Sequence, residues 1–143
     1  MTQDLLVNIG EEYFVTEGAD GATVIVGLYD DAVDNIGDES NEADITSEPT
    51  NANYARVSST VTASNIDGNW GVENDATLEF DFSDTTDHDM EVDTAFVLVE
   101  FDSTEAGSLG EHLIANPALS QRRSLGSIDT LEIGVGDLEI KLD

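Results

Sequence analysis

The sequence predicts an all-β, single-domain antiparallel β-sandwich of the jelly-roll or immunoglobulin-like kind, occupying residues 1–143. Three observations lead there. Residues 76–82 alternate cleanly, with Leu78, Phe80 and Phe82 on one face and Thr77, Glu79 and Asp81 on the other, as a strand with one solvated face requires. Residues 22–29, Ala-Thr-Val-Ile-Val-Gly-Leu-Tyr, form a β-branched run suited to a buried strand. No long i, i+3, i+4 apolar stripe marks a helix, and Gly, Asn, Asp, Ser and Thr break the chain throughout.

In chain order, weak strands are expected at residues 12–16, 53–63 and 119–124, flanking the stronger ones at 22–29 and 76–82. Within 53–63 the period of two places Tyr54, Arg56 and Ser58 on one face and Ala55 and Val57 on the other. Residues 94–101 are continuously apolar from Ala95 through Val99, the mark of a central strand covered on both faces. Residues 110–115 suit a short helical turn. At the C-terminus Leu131 and Ile133, a Gly-Val-Gly-Asp turn, then Leu138, Ile140 and Leu142 read as a hairpin. Seven or eight turn-separated strands in one domain make a sandwich, and the pattern sets no strand order.

The charge decides which functions are open. Among 143 residues, 32 are Asp or Glu and 4 are Lys or Arg, a formal net charge of −28. Direct binding to nucleic acid or to an anionic membrane needs clustered cations, which this chain lacks. It is nevertheless a folding sequence: Leu, Ile, Val and Phe make up 38 residues, about 27%, against the roughly 20% typical of disorder. The absence of cysteine removes disulfides, thiolate metal sites and a cysteine nucleophile. No apolar run approaches the roughly 18 residues of a membrane span, and residues 1–10 lack the basic region of a secretory leader, so none is expected.

Scarcity of cations is as telling as abundance of carboxylates. A surface with so few partners for its carboxylates suits molar salt, where the Debye length of about 3 Å screens the self-repulsion. The first reading is a salt-in halophilic environment; the other is an acidic protein whose carboxylates bind Ca²⁺ or keep it dissolved. Two loops concentrate the charge. Residues 30–48 carry eight acidic side chains and no basic one, and residues 84–93 carry five around His88. Both offer the oxygens that Ca²⁺ takes, and neither has the Asp-x-Asp-x-Asp-Gly spacing with its distal Glu, which favours plain hydrated loops.

No residues are assigned to catalysis, to a cofactor or to a metal. His112, in Gly-Glu-His-Leu-Ile, is the best single candidate for a general base, but a lone His beside an apolar segment is more often a packing residue, and no Gly-x-Ser-x-Gly elbow accompanies it. Gly134-Val135-Gly136 lies between two short strands with no helix following, unlike a phosphate cradle. The cations are Arg56, Arg122, Arg123 and Lys141. A retained arginine is expected in an ion pair, because guanidinium binds carboxylate bidentately; Arg122-Arg123, the only basic pair, suits either surface balance or an acidic face of a neighbouring chain. Trp70 is expected in the core.

Several segments, taken in order, resemble a family: small structural proteins of the virions of tailed viruses that infect haloarchaea, with a looser likeness to bacteriophage head and tail accessory proteins. The segments are Asn8-Ile9-Gly10-Glu11-Glu12-Tyr13, Val26-Gly27-Leu28-Tyr29-Asp30, Ile45-Thr46-Ser47-Glu48-Pro49-Thr50, Asn53-Tyr54-Ala55-Arg56, Gly68-Asn69-Trp70-Gly71 and Gly136-Asp137-Leu138-Glu139-Ile140-Lys141-Leu142. The likeness spans nearly the whole chain and rests on their order. It implies a noncatalytic β-sandwich without a cofactor, assembled in the host cytoplasm into the virion. Its expected partners are further copies of itself, as a trimer or pentamer, and other virion structural proteins such as the major capsid protein. A capsid decoration or vertex turret comes first, and a tail, baseplate or fibre piece is the variant within the same particle. Two other classes compete: a soluble carbohydrate- or cation-binding module built on the two acidic loops and Trp70, and an acid–base hydrolase.

Overall fold

A computed structural model describes residues 8–84, 90–100 and 111–142. A short helix α1 (Asn8–Phe14) runs into a π turn (Val15–Ala19). Then come β1 (Thr23–Tyr29), the single-turn helix α2 (Asp31–Asp34), a 3-10 turn (Glu42–Asp44), β2 (Val57–Ile66), β3 (Asn69–Asn74) and β4 (Leu78–Asp81). The chain continues with β5 (Glu91–Glu100), β6 (Glu111–Ala115), β7 (Ala118–Ser124), a 3-10 turn (Leu125–Ser127), β8 (Thr130–Ile133) and β9 (Glu139–Lys141). The expected all-β class stands. A seven-stranded antiparallel sheet has the order β6-β5-β1-β2-β3-β9, with β7 also pairing β5, and a second sheet pairs β4 with β8.

The main core lies between the two sheets. Val24, Val26 and Leu28 of β1, Val61 of β2 and Val92, Ala95 and Val97 of β5 meet Leu78 and Phe80 of β4 and Leu131 and Ile133 of β8. The alternation read in residues 76–82 is the physical one: Leu78, Phe80 and Phe82 are buried while Glu79 and Asp81 are exposed. The other faces of β1 and β5 carry a second cluster, Tyr29, Phe96 and Leu98, packed against Ile25, Ile36, Ile45 and Leu113. Burial on both faces explains why these two strands are continuously apolar.

Four local expectations fail. Residues 12–16 are helical, because Glu11 and Val15, the buried positions, stand one helical turn apart. Where a helical turn is expected over residues 110–115, residues 111–115 are β6, which pairs with β5 through a bulge between Val97 and Leu98, and Gly110 lies outside the described residues. The strand expected from residue 53 begins only at Val57. Tyr54 folds inward at a turn and stacks on Phe80 and Phe82, at 6.1 and 5.7 Å between ring centroids. Finally, β8 and β9 are not a hairpin. β8 pairs β4 and β9 pairs β3, and Asn74 turns the chain from one sheet to the other. Wholly buried, Asn74 donates from Nδ2 to the Ala76 and Gly134 carbonyls and accepts from the Leu138 N–H. Strand β3 is not among the expected strands; its Gly71 is required where β9 approaches, since a Cβ there would lie 2.3 Å from the Ile140 carbonyl oxygen. Phe101 and residues 85–89, with His88, lie outside the described residues.

Candidate functional site

The acidic loop 30–48 is a folded cover over the second apolar cluster, to which it contributes Ile36 and Ile45. Its carboxylates are its own scaffold. Asp30 caps α2 by accepting from the Ala32 N–H. Asp31 accepts from the Tyr29 hydroxyl and the Ile36 N–H. Asp34 joins the two limbs of the loop, accepting from the backbone N–H and hydroxyl groups of both Thr46 and Ser47. Burial works to raise the Asp34 pKa, but these four hydrogen bonds outweigh it and hold the carboxyl below its ordinary range. Asp44 and Asn41 close a capping box on the 3-10 turn.

Two arginines clasp the loop at its ends. At the start, Arg122 of β7 reaches three carboxylates: Asp30, Glu91 at 2.5 Å and Asp93 at 3.0 Å. Asp93 also accepts from the Asp31 N–H at 2.8 Å, tying β5 to the loop. At the end, Arg56 binds Glu48 through Nε at 2.9 Å and Nη2 at 2.8 Å, and Glu42 through Nη1 at 2.6 Å. Its guanidinium lies 4.9 Å from the centroid of the Phe96 ring, a cation–π stack. The same ring rests on Gly27, where a Cβ would come within 2.2 Å of it; this accounts for a glycine in the middle of a buried strand.

Tyr54 completes the arrangement. Its hydroxyl accepts from the Leu28 N–H, beyond the point where β1–β2 pairing ends at Val26 and Val57, and donates to Glu48. Burial, partly offset by the Leu28 hydrogen bond, and the Glu48 charge keep that hydroxyl protonated. The Tyr29 hydroxyl is pushed up to about 12, chiefly by burial. Hydrogen bonds to Glu48 and Glu42 outweigh the burial of Arg56 and raise its pKa; those to Glu91 and Asp30 raise that of Arg122. Carboxylates locked to guanidinium are poorly suited to proton transfer, so the arrangement acts as a brace.

The sequence-singled residues separate accordingly. Arg56 has the specific carboxylate partners expected of it, though it stands before β2 and not within a strand. Arg122 and Arg123 do different work: Arg122 is spent within the fold, whereas Arg123 makes no ion pair among the described residues. The Gln121 amide faces the Arg123 guanidinium, and with that amide turned so that its oxygen points inward it accepts from Arg123 at 2.9 and 3.1 Å. Lys141 lies 4.0 Å from Asp67. Trp70, in β3, is half-buried against the main core. His112 stands in β6 opposite Val99, with its side chain outside the described residues. Among the described residues no three His, Asp or Glu side chains converge to hold a metal ion, and no helix is long and apolar enough to cross a membrane. Comparison with protein-family models, curated proteins and solved structures finds no match.

Two features carried no sequence signal. Glu42 and Glu48 are indistinguishable in the sequence from their six acidic neighbours in the loop. The second is a groove of about 590 Å³ between β7 and β8, lined by Leu119, Leu131 and Ile133 and, in equal measure, by polar groups that include Arg123, Glu132 and Asp137. Each of these strands is paired on one side only among the described residues.

Proposed function

We propose that this chain is a noncatalytic structural subunit of a halophilic tailed virus particle, a capsid decoration or vertex turret protein that assembles as a homo-oligomer. The observation that carries the reading is how the cations are used. Arg56 and Arg122 are engaged by five carboxylates of their own chain, fixing the loop, in a sequence whose charge is overwhelmingly acidic. Such a surface holds water and is stable where brine screens it. The ordered resemblance along the chain supplies the particle. A rigid β-sandwich whose polar side chains are engaged with one another suits a building block better than a reaction centre.

Mass spectrometry of density-purified virions from a haloarchaeal host carrying the gene tests the reading, together with immunogold labelling of intact particles. The chain should be found in stoichiometric copy number and label the capsid or its vertices. Its absence from purified virions overturns the proposal, and label confined to tails moves it to the tail, baseplate or fibre.

A further inference from the structure

We propose that β9 pairs antiparallel with β9 of a second copy of this chain, about a twofold axis at Ile140, and so joins two seven-stranded sheets into one. This goes beyond the preceding reading: it names the contact of the homo-oligomer, and a twofold contact makes a dimer where the resemblance implies a trimer or pentamer. Strand β9 ends the sheet and pairs only with β3 among the described residues. Its backbone shows which groups are left over. The Asn74 N–H donates to the Leu138 carbonyl and the Leu142 N–H to the Trp70 carbonyl, so alternation turns the backbone groups of Leu138, Ile140 and Leu142 toward β3 and those of Glu139 and Lys141 outward. An open edge of this kind is a template for another strand.

The side chains say which strand. Glu139 and Lys141 are exposed on one face, and neither has a complement in its own sheet. Glu139 stands opposite Glu73, a like charge, and Lys141 stands opposite Gly71, which has no side chain. Lys141 Nζ lies 4.0 Å from Asp67, whose side chain is 89% exposed. Registers that keep the two strands overlapped and their outward backbone groups facing are centred on Glu139, Ile140 or Lys141. The first and last set Glu139 against Glu139 or Lys141 against Lys141. The register centred on Ile140 sets each Glu139 opposite Lys141 of the second copy, where the two exchange backbone hydrogen bonds. On the other face Ile140 meets its own equivalent and lies diagonal to Leu142 of the second copy, a side chain 37% exposed in the single chain. Two copies that each carry −28 repel one another, and this patch is neutral where they touch. No other open strand among the described residues is self-complementary in this way: β4, β6 and β8 contain acidic residues and no Lys or Arg, and β7 contains arginines and no acid.

In about 2 M KCl, where long-range repulsion is screened, the wild-type protein should sediment as a dimer. The chain lacks cysteine, and opposed Cα atoms at a non-hydrogen-bonded pair stand about 4.5 Å apart, within the roughly 4.4–6.8 Å range of a disulfide. Air oxidation of Ile140→Cys should therefore give a linked dimer and nothing larger. Glu139→Pro removes an outward N–H and leaves the pairing to β3 intact; it should weaken dimerisation at least about tenfold. At the lowest KCl concentration at which circular dichroism shows each variant folded, Glu139→Lys should weaken it comparably, and adding Lys141→Glu should restore it, because the opposed side chains again differ in sign. Wild type that stays monomeric at millimolar concentration, or that forms a trimer or pentamer, overturns the proposal, since such a ring has no twofold axis. So do a dimer that Ile140→Cys fails to link, Glu139→Pro dimerising like wild type, and a double swap that dimerises no better than Glu139→Lys. A dimer absent from virions removes the particle assignment and keeps this contact; a monomer present in virions does the reverse.

Discussion

Arg56→Ala removes the clasp at the far end of the acidic loop. Three charge-assisted hydrogen bonds go, two to Glu48 and one to Glu42, together with the stack on Phe96. An exposed ion pair contributes at most about 1 kcal/mol, whereas removing one partner of a fully buried pair costs about 3–5 kcal/mol. The Arg56 and Glu48 side chains are 30% and 23% exposed, between those limits. With about 0.5–1 kcal/mol for the cation–π stack, the expected loss is about 2–3 kcal/mol, or roughly 5–10 °C in the thermal midpoint of a domain this size. Arg56→Lys should recover only part, because an ammonium cannot reproduce the fork that grips Glu48. The assay is the guanidinium-free urea midpoint in about 2 M KCl, where a merely superficial pair is screened away. A double-mutant cycle with Glu48→Gln isolates the pairwise coupling. A midpoint for Arg56→Ala within about 0.5 kcal/mol of wild type, the range of ordinary surface substitutions, refutes the clasp.

Asn74→Ala should cost about 3 kcal/mol or more, since it strands the Leu138 N–H and two carbonyls inside the corner between the sheets; an unchanged urea midpoint would show that the corner holds without it. Gly27→Ala should destabilise by displacing the Phe96 ring, and should also lower the cost of removing Arg56, because the stack would already be broken; strict additivity of the two losses contradicts this. The Tyr29 hydroxyl, raised from 10.0 to about 12, favours the fold fully below pH 10 and loses that contribution as pH rises from 10 to 12. The phenolate absorbance difference between wild type and Tyr29→Phe should therefore emerge near 12, and its appearance at 10 would contradict the burial. Dialysis from molar KCl to about 50 mM should reduce the β signal in circular dichroism as screening is withdrawn; an unchanged melting temperature across that range removes the halophilic argument.

What the sequence disclosed follows from which interactions are periodic. Leu78, Phe80 and Phe82 are legible because one face of β4 meets one core. The unbroken apolar run of β5 correctly reports cover on both faces, yet nothing in residues 30–48 says that this acidic loop is the cover. Strand β3 is hidden because its burial is carried by Val72 and Asn74, with Trp70 only partly enclosed, and a buried Asn looks like a turn residue until its three partners are placed. Helix α1 is hidden because, from Gly10 on, the buried positions are Glu11 in the helix and Val15 in the turn that follows it. For the site, scarcity identified Arg56 as a residue held by carboxylates. Its partners were not legible, since Glu42 and Glu48 lie 14 and 8 residues away across an irregular loop, where no period fixes which side chains meet.

The position of the loop's anchors also makes the protein a candidate carrier. Asp34 is fastened to Thr46 and Ser47, and both arginine contacts lie outside the tip at residues 37–40, where Gly37 and Ser40 close a small exposed turn. A graft between those two residues would hang from a stem already tied shut. Because the entropy of closing a loop rises by only about 0.6 kcal/mol for each doubling of its length, an epitope or affinity tag spliced there should leave the sandwich folded and be displayed outward.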